Sequence, residues 1–236
     1  MISILEKAAV FVRLLYRNGP SGVFGKIAHW RGHRAAQPRI DAEYGTDTLS
    51  WVQVKDMSAS GPNIAYATEY GPSPVFDSER ILRQLPLDFS EHVFVDLGCG
   101  KGLMLILAAR LGFNRIIGVE FGKVLHEIAL VNLDKFRRGD RNTPAIEVVL
   151  GDAAEFELPA APLVIYLYHP FGPEVICKVL ANLRASLIAA PRSCWIVYVN
   201  PVHHHVFEEC DFLRTHKAEL DRDLGEPYAL YRYCGD

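Results

Sequence analysis

V-F-V-D-L-G-C-G-K-G, residues 93–102, is the stretch on which the fold turns. Three apolar residues lead into Asp96, glycines follow at 98, 100 and 102, and an unbroken apolar run continues from Leu103 to Ala109. The pattern predicts a buried strand, a tight glycine turn and a helix whose N-terminus points back at the turn. Glycine lets a backbone turn sharply and lets a ligand approach it closely. The free N–H groups of a first helical turn attract polar or anionic ligand groups. The spacing departs from two familiar glycine loops. A dinucleotide turn wants G-x-G-x-x-G/A, and Leu103 occupies the third position; a phosphate loop wants Gly-Lys-Ser/Thr, and Gly102 follows Lys101.

Downstream, strand and helix patterns alternate as in a parallel sheet. Strands are expected at Arg115–Val119, Ala145–Val149, Leu163–Tyr168 and Cys194–Val199, with helices at Lys123–Phe136 and Pro173–Leu187. A helix from about His203 to Arg214 follows, and the tail from Lys217 reads as two strands around Gly225-Glu226-Pro227. Upstream, Leu49–Val54 suggests a short strand, and Ser73 is placed to cap a helix that starts at Pro74 and runs to about Leu85. At the N-terminus, residues 2–17 carry one apolar helical face, and a second short helix is expected from Gly22 to Trp30.

D-x-G-x-G-x-G, Asp96 to Gly102, resembles the first motif of the class I S-adenosylmethionine-dependent methyltransferases; the plainer alternative is a structural strand-turn-helix of another α/β protein. The resemblance implies an α/β fold with a seven-stranded, Rossmann-like sheet, mostly parallel with an antiparallel last strand. Here that sheet would carry a helical N-terminal extension. It also implies S-adenosyl-L-methionine as cofactor. The Gly98-Cys99-Gly100-Lys101-Gly102 turn would pass under the methionine part, and Asp96 would hold the ammonium directly or through water. Residues 1–73 are then an arm and cofactor-closing loop region, and 74–236 the methyltransferase domain.

Open parallel sheets bind ligands at the carboxyl ends of their strands, and the polar residues fall there. Glu120 lies 22 residues after Gly98, where an acid can accept both hydroxyls of a ribose; otherwise it is an exposed strand-end carboxylate. Asp152 in Gly-Asp-Ala resembles the family's adenine position, with the Ala153 N–H serving a ring nitrogen; otherwise it caps a loop. T-E-Y-G-P-S-P, Thr68 to Pro74, sits where the cofactor-closing loop of the non-SET histone lysine methyltransferases lies, which brings Glu69 and Tyr70 into the cofactor set. V-F-V-D-L-G-C-G-K-G, G-V-E and F-G-P-E-V carry that narrower likeness. The span from Ile40 to Y-V-N-P also resembles a group of uncharacterised bacterial methyltransferases.

Y-H-P-F-G, Tyr168 to Gly172, resembles the Asn/Asp-Pro-Pro-Tyr/Phe motif of amine methyltransferases, with His169 in place of the acid or amide and one proline missing. Two readings of His169 stand: an acceptor or base near neutral pH, or a turn residue against the cofactor edge. Asn200-Pro201 ends the neighbouring strand, so Tyr168, His169 and Asn200 form the candidate nucleophile side. Methyl transfer needs alignment more than acid–base chemistry; holding the reactants in line is worth roughly 7–11 kcal/mol. A lysine amine must also lose its proton before it attacks.

Composition narrows the remaining choices. The chain has 236 residues and net charge −3, which does not fit a molecule-wide nucleic-acid binder. The charge is uneven: residues 1–40 carry +6 and the rest −9. The basic arm suits an acidic partner, a membrane surface or nucleic acid, or else packs as a lid on the domain. Apolar runs are too short to span a bilayer, no secretory signal pattern is present, and five scattered cysteines read as reduced thiols of a cytoplasmic protein. His203-His204-His205 does not make a metal site, because consecutive helical residues diverge by about 100°. The expected function is methylation of a protein side-chain nitrogen, the acceptor itself being unidentified. The alternatives are a small-molecule or nucleic-acid methyltransferase, or a non-catalytic cofactor-binding or partner-docking protein.

Overall fold

The computed structural model describes residues 39–58, 63–66, 68–140, 142–220 and 225–235; the helices expected at 2–17 and Gly22–Trp30 lie outside them. Seven strands form one sheet: β1 Val93–Leu97, β2 Arg115–Glu120, β3 Ala145–Leu150, β4 Leu163–Tyr168, β5 Cys194–Val199, β6 Leu213–Glu219 and β7 Tyr228–Tyr233. Their spatial order is β3-β2-β1-β4-β5-β7-β6. Pairs from β3 to β5 are parallel, and β7 runs antiparallel to both β5 and β6. The order reverses between β1 and β4, which makes their carboxyl ends the expected crevice for a ligand.

Helices cover both faces. Residues 39–44 are helical (α1). They are followed by α2 Val75–Leu82, α3 Leu103–Leu111, α4 Lys123–Gly139, α5 Pro173–Ala189 and α6 His204–Glu208. One core joins α2, α3 and α4 to Phe94, Ile116, Val164 and Val197; the other joins α5 and α6 to Val95, Ile117, Ile165 and Ile196. The alternation of neighbours along each strand between two cores explains why β1, β4 and β5 read as continuous apolar runs. Each such side chain contributes about 1.5–3 kcal/mol on burial.

Three local expectations are corrected. Leu49–Val54 is not a strand: Val52 makes a single bridge to Tyr70, and a 3₁₀ turn follows at Val54–Asp56. Ser73 does not cap α2, whose N-cap is Pro74; the Ser73 hydroxyl bonds to buried Tyr166 instead. The helix expected to Arg214 is only His204–Glu208, because the chain turns at Cys210 and Leu213–Glu219 is drawn into the sheet edge beside β7. Sheet pairing there overrides local helical preference. No helix of the described residues is long and apolar enough to cross a membrane.

Candidate active site

The glycine turn after β1 is held in a conformation that side chains oppose. Gly98, Gly100 and Gly102 have φ of 89°, 52° and 83°. Gly98 and Cys99 N–H both donate to the Val119 carbonyl, at 2.9 and 3.0 Å, which pins the turn to the end of β2. A Cβ on Gly98 would lie 2.6 Å from the Pro170 ring, and one on Gly100 would lie 2.1 Å from the Tyr70 ring. The turn is therefore sandwiched between the loop after β4 and the segment that precedes α2.

Beside it opens a cavity of about 880 Å³, its mouth included, at the carboxyl ends of β1, β2, β3 and β4. Asp96, Gly98, Cys99, Glu120, Asp152, Ala153, Glu69, Tyr70 and Tyr168 all border it. Asp96 and Glu120 are each only 3% exposed. Glu120 accepts backbone N–H groups from Gly100 at 2.8 Å and Gly122 at 2.7 Å, one on each oxygen, so its orientation is fixed and lone pairs remain. Burial nevertheless pushes its carboxyl up to about 7. Burial, with Glu120 nearby, holds Asp96 well above the usual carboxylate range. Two buried acids in one cavity without a cation are electrostatically costly, and a cationic ligand relieves that cost. Cys99 is buried and its thiol is pushed up by burial, which removes it as a nucleophile.

Residues 63–66 and 68–71 border the mouth as a strap. At one end Asn63 donates to Asp152 at 2.6 Å. Midway, Thr68 donates to the carbonyls of His169 and Pro170 at 3.0 and 3.1 Å, and the Tyr66 carbonyl accepts from Gly172. At the other end the Tyr70 hydroxyl donates to the Thr48 carbonyl at 2.8 Å. Lys101 is 1% exposed; its ammonium donates to Asp47 at 3.0 Å and to Ser50. Asn132 on α4 ties the Asp47 and Lys101 carbonyls together. Sequence reasoning passed over Asn63, Thr68 and this use of Lys101; the Gly-Pro-Asn turn signal at 61–63 was the one local hint of Asn63.

The rim after β4 and β5 is arranged differently. Tyr168 borders the cavity, but the structure does not bring His169 or Asn200 to its wall. His169 adopts φ 39° and Asn200 φ 50°. The half-buried His169 ring lies 3.4 Å from the Tyr198 hydroxyl and 5.3 Å from the His203 ring, and burial with His203 lowers its pKa. The Asn200 N–H donates to the Pro227 carbonyl at 2.7 Å, which makes it a turn into the last strand.

No family model matches the chain. Among curated proteins it is 32% identical over 97 residues to a ribosomal protein L11 methyltransferase of Pseudoalteromonas atlantica, covering 39% of this chain and 32% of that one. It is 29% identical over 112 residues to protein arginine N-methyltransferase 1 of Schizosaccharomyces pombe, covering 47% of this chain and 31% of that one. A Shewanella halifaxensis L11 methyltransferase matches at 24% over 173 residues, covering 65% and 56%. The chain thus spans from about a third to just over half the length of these relatives. Among solved structures, a candidate RNA methyltransferase of Pyrococcus horikoshii superposes with a TM-score of 0.50 at 16% identity, covering 84% of this chain and 97% of that one. A candidate methylase of Haemophilus influenzae gives 0.50 at 14%, covering 67% and 97%. Sheet order, glycine turn and structural neighbours agree: the chain has the fold of the class I methyltransferases.

Proposed function

We propose that the protein is an S-adenosyl-L-methionine-dependent methyltransferase acting on an amine nitrogen, with a protein side chain as first-choice acceptor. One observation carries the cofactor reading. Asp96 is a buried carboxyl that borders the cavity beneath the glycine turn, with buried Glu120 beside it raising the cost of its charge. A cationic ammonium satisfies such a group. The pyrophosphate of a dinucleotide would instead meet two buried acids, which agrees with Leu103 standing where a dinucleotide turn wants glycine.

In this reading the turn from Gly98 through Cys99 and Gly100 to Gly102 cradles the methionine part, and Glu120 accepts the ribose diol. Asp152 and the Ala153 N–H take the adenine edge, and Glu69 and Tyr70 close over the mouth. Bound cofactor supplies an activated methyl group on sulfur; the protein's share is binding, in-line positioning and exclusion of water. Tyr168 faces the acceptor side, with His169 and Asn200 shaping the rim behind it. The relatives that methylate protein L11 or arginine support the protein acceptor. The +6 arm supports an acidic partner or surface instead, and a nucleic-acid acceptor would reveal itself by strongly salt-dependent binding. Five cysteines without a disulfide support a cytoplasmic setting.

The test is calorimetric titration with S-adenosylmethionine. Micromolar binding is expected, weakened at least about tenfold in Glu120→Ala and in Asp96→Asn, each of which removes a charge-assisted contact. A well-folded wild type that binds NADH and not S-adenosylmethionine would overturn the reading.

A further inference from the structure

Asn63 stands between a cation and an anion. Lys178, exposed on α5, donates from its ammonium to the Asn63 Oδ1 at 2.9 Å. The Asn63 amide then donates to Asp152 Oδ2 at 2.6 Å. The Ala154 N–H donates to Asp152 Oδ1 at 2.9 Å. The ammonium on one side and the carboxylate on the other fix which way the amide points, because only its oxygen can accept and only its nitrogen can donate. Asp152 is thereby held on both oxygens, one from its own turn and one from the strap, although it is only half-buried and free to rotate otherwise. Asn63 also borders the cavity beside Asp152 and Ala153.

From this relay we infer that Asn63, set by Lys178, is the positioning residue that makes Asp152 discriminate the ring bound beside it, selecting adenine over its 6-oxo analogue hypoxanthine. The inference rests on the cofactor reading above. A carboxylate fixed at the ring edge accepts from a 6-amino group and repels a 6-oxo group. A carboxylate free to swing into solvent does neither well. Sites that hold a polar partner rigidly reject the wrong partner strongly, since the mismatch leaves buried groups unpaired. Lys178 acts only through the amide, so its loss should matter less than that of Asn63.

The experiment compares binding of S-adenosylhomocysteine and S-inosylhomocysteine by calorimetry, which needs no methyl acceptor. Wild type is expected to prefer the adenine compound by at least about tenfold. Asn63→Ala should shrink that preference by about fivefold or more, mainly by weakening the adenine compound, and Lys178→Ala should shrink it two- to threefold. Lys178 lies on the surface of α5 and its variant keeps the fold, so it tests the relay even if Asn63→Ala proves unstable. Wild-type preference that persists unchanged in both variants overturns the inference while leaving the cofactor reading intact. Failure of wild type to bind either compound overturns both.

Discussion

The two sides of the cavity are built by opposite means. On the β1–β3 side, side chains do the holding: Glu120 grips the Gly100 and Gly122 N–H groups, and the Lys101 ammonium ties the glycine turn to the Asp47 and Ser50 side chains. On the β4–β5 side, backbone groups do the holding. The carbonyls of His169 and Pro170 receive Thr68, and the Asn200 N–H meets Pro227. A site whose side chains are committed to backbone geometry tolerates little change. A rim held by carbonyls can change its side chains while keeping its shape, which suits a side that must fit a particular methyl acceptor. The contrast predicts large losses for substitutions on the first side and small ones on the second.

Gly98 is the harshest test because it belongs to both sides. In Gly98→Ala the new methyl would stand 2.6 Å from the rigid Pro170 ring at a φ of 89° that alanine resists. The expected loss is at least about 100-fold in S-adenosylmethionine affinity by calorimetry. An affinity within a fewfold of wild type would mean that the two walls move independently.

The next largest effect is on pH. Glu120, pushed up to about 7 by burial, must be ionised to accept a diol. Affinity should therefore weaken about tenfold per pH unit below 7 and level off above it. The sign for stability is opposite. A carboxyl whose folded pKa is raised stabilises below its unfolded value near 4.3, and that contribution is lost as pH rises through about 7; it amounts to roughly 3–4 kcal/mol. Asp96, raised in the same direction, adds to the trend. The ligand-free protein should lose thermal stability between about pH 4 and 7, and Glu120→Gln should flatten the curve. A flat curve in wild type would show that the cavity does not desolvate its acids.

Lys101 should show a smaller and more local effect. Its ammonium is buried while its partner Asp47 is largely exposed, so Lys101→Met leaves no unpaired charge inside. Global stability should change by no more than about 1 kcal/mol. The clasp on residues 46–50 is lost, however, and hydrogen exchange there should quicken, with cofactor affinity down about three- to fivefold. A collapse of global stability instead would make Lys101 part of the core rather than a clasp.

What could be read from the sequence follows the same division. β4 and β5 lie where the apolar runs Leu163–Tyr168 and Cys194–Val199 placed them, since buried parallel strands write themselves as continuous apolar segments. Asp96, Gly98, Glu120 and Asp152 border one cavity because strand ends converge whatever their neighbours are. The loop Thr68 to Pro74 was read as one that closes over the cofactor, but the ties that hold the site were not legible: Asn63 meets Asp152 across 89 residues, and Lys101 meets Asp47 across 54. No local period carries such pairings. The failed helix beyond Glu208 has the same cause, as β6 forms only because β7 is there to pair with it.

His169 should give the smallest effect on the cofactor, and it decides what the second side is for. Its backbone carbonyl, not its ring, holds the strap through Thr68. Its ring points to Tyr198 and His203. Burial and His203 lower its pKa below the usual imidazole value near 6.5, so it is neutral at pH 7 and gains charge only in acid. His169→Gln keeps a hydrogen-bonding side chain at a φ of 39° and should leave S-adenosylmethionine affinity within about twofold. With the ring set back from the cavity wall, the turnover number should also stay within about threefold once an acceptor is in hand. General bases are worth about 10²–10⁴ in rate. A fall of that size, with loss of an acid limb titrating below 6.5, would assign the ring to proton removal from the acceptor nitrogen. It would also show that the rim closes inward when the acceptor binds, since only such a movement brings the imidazole to the cavity.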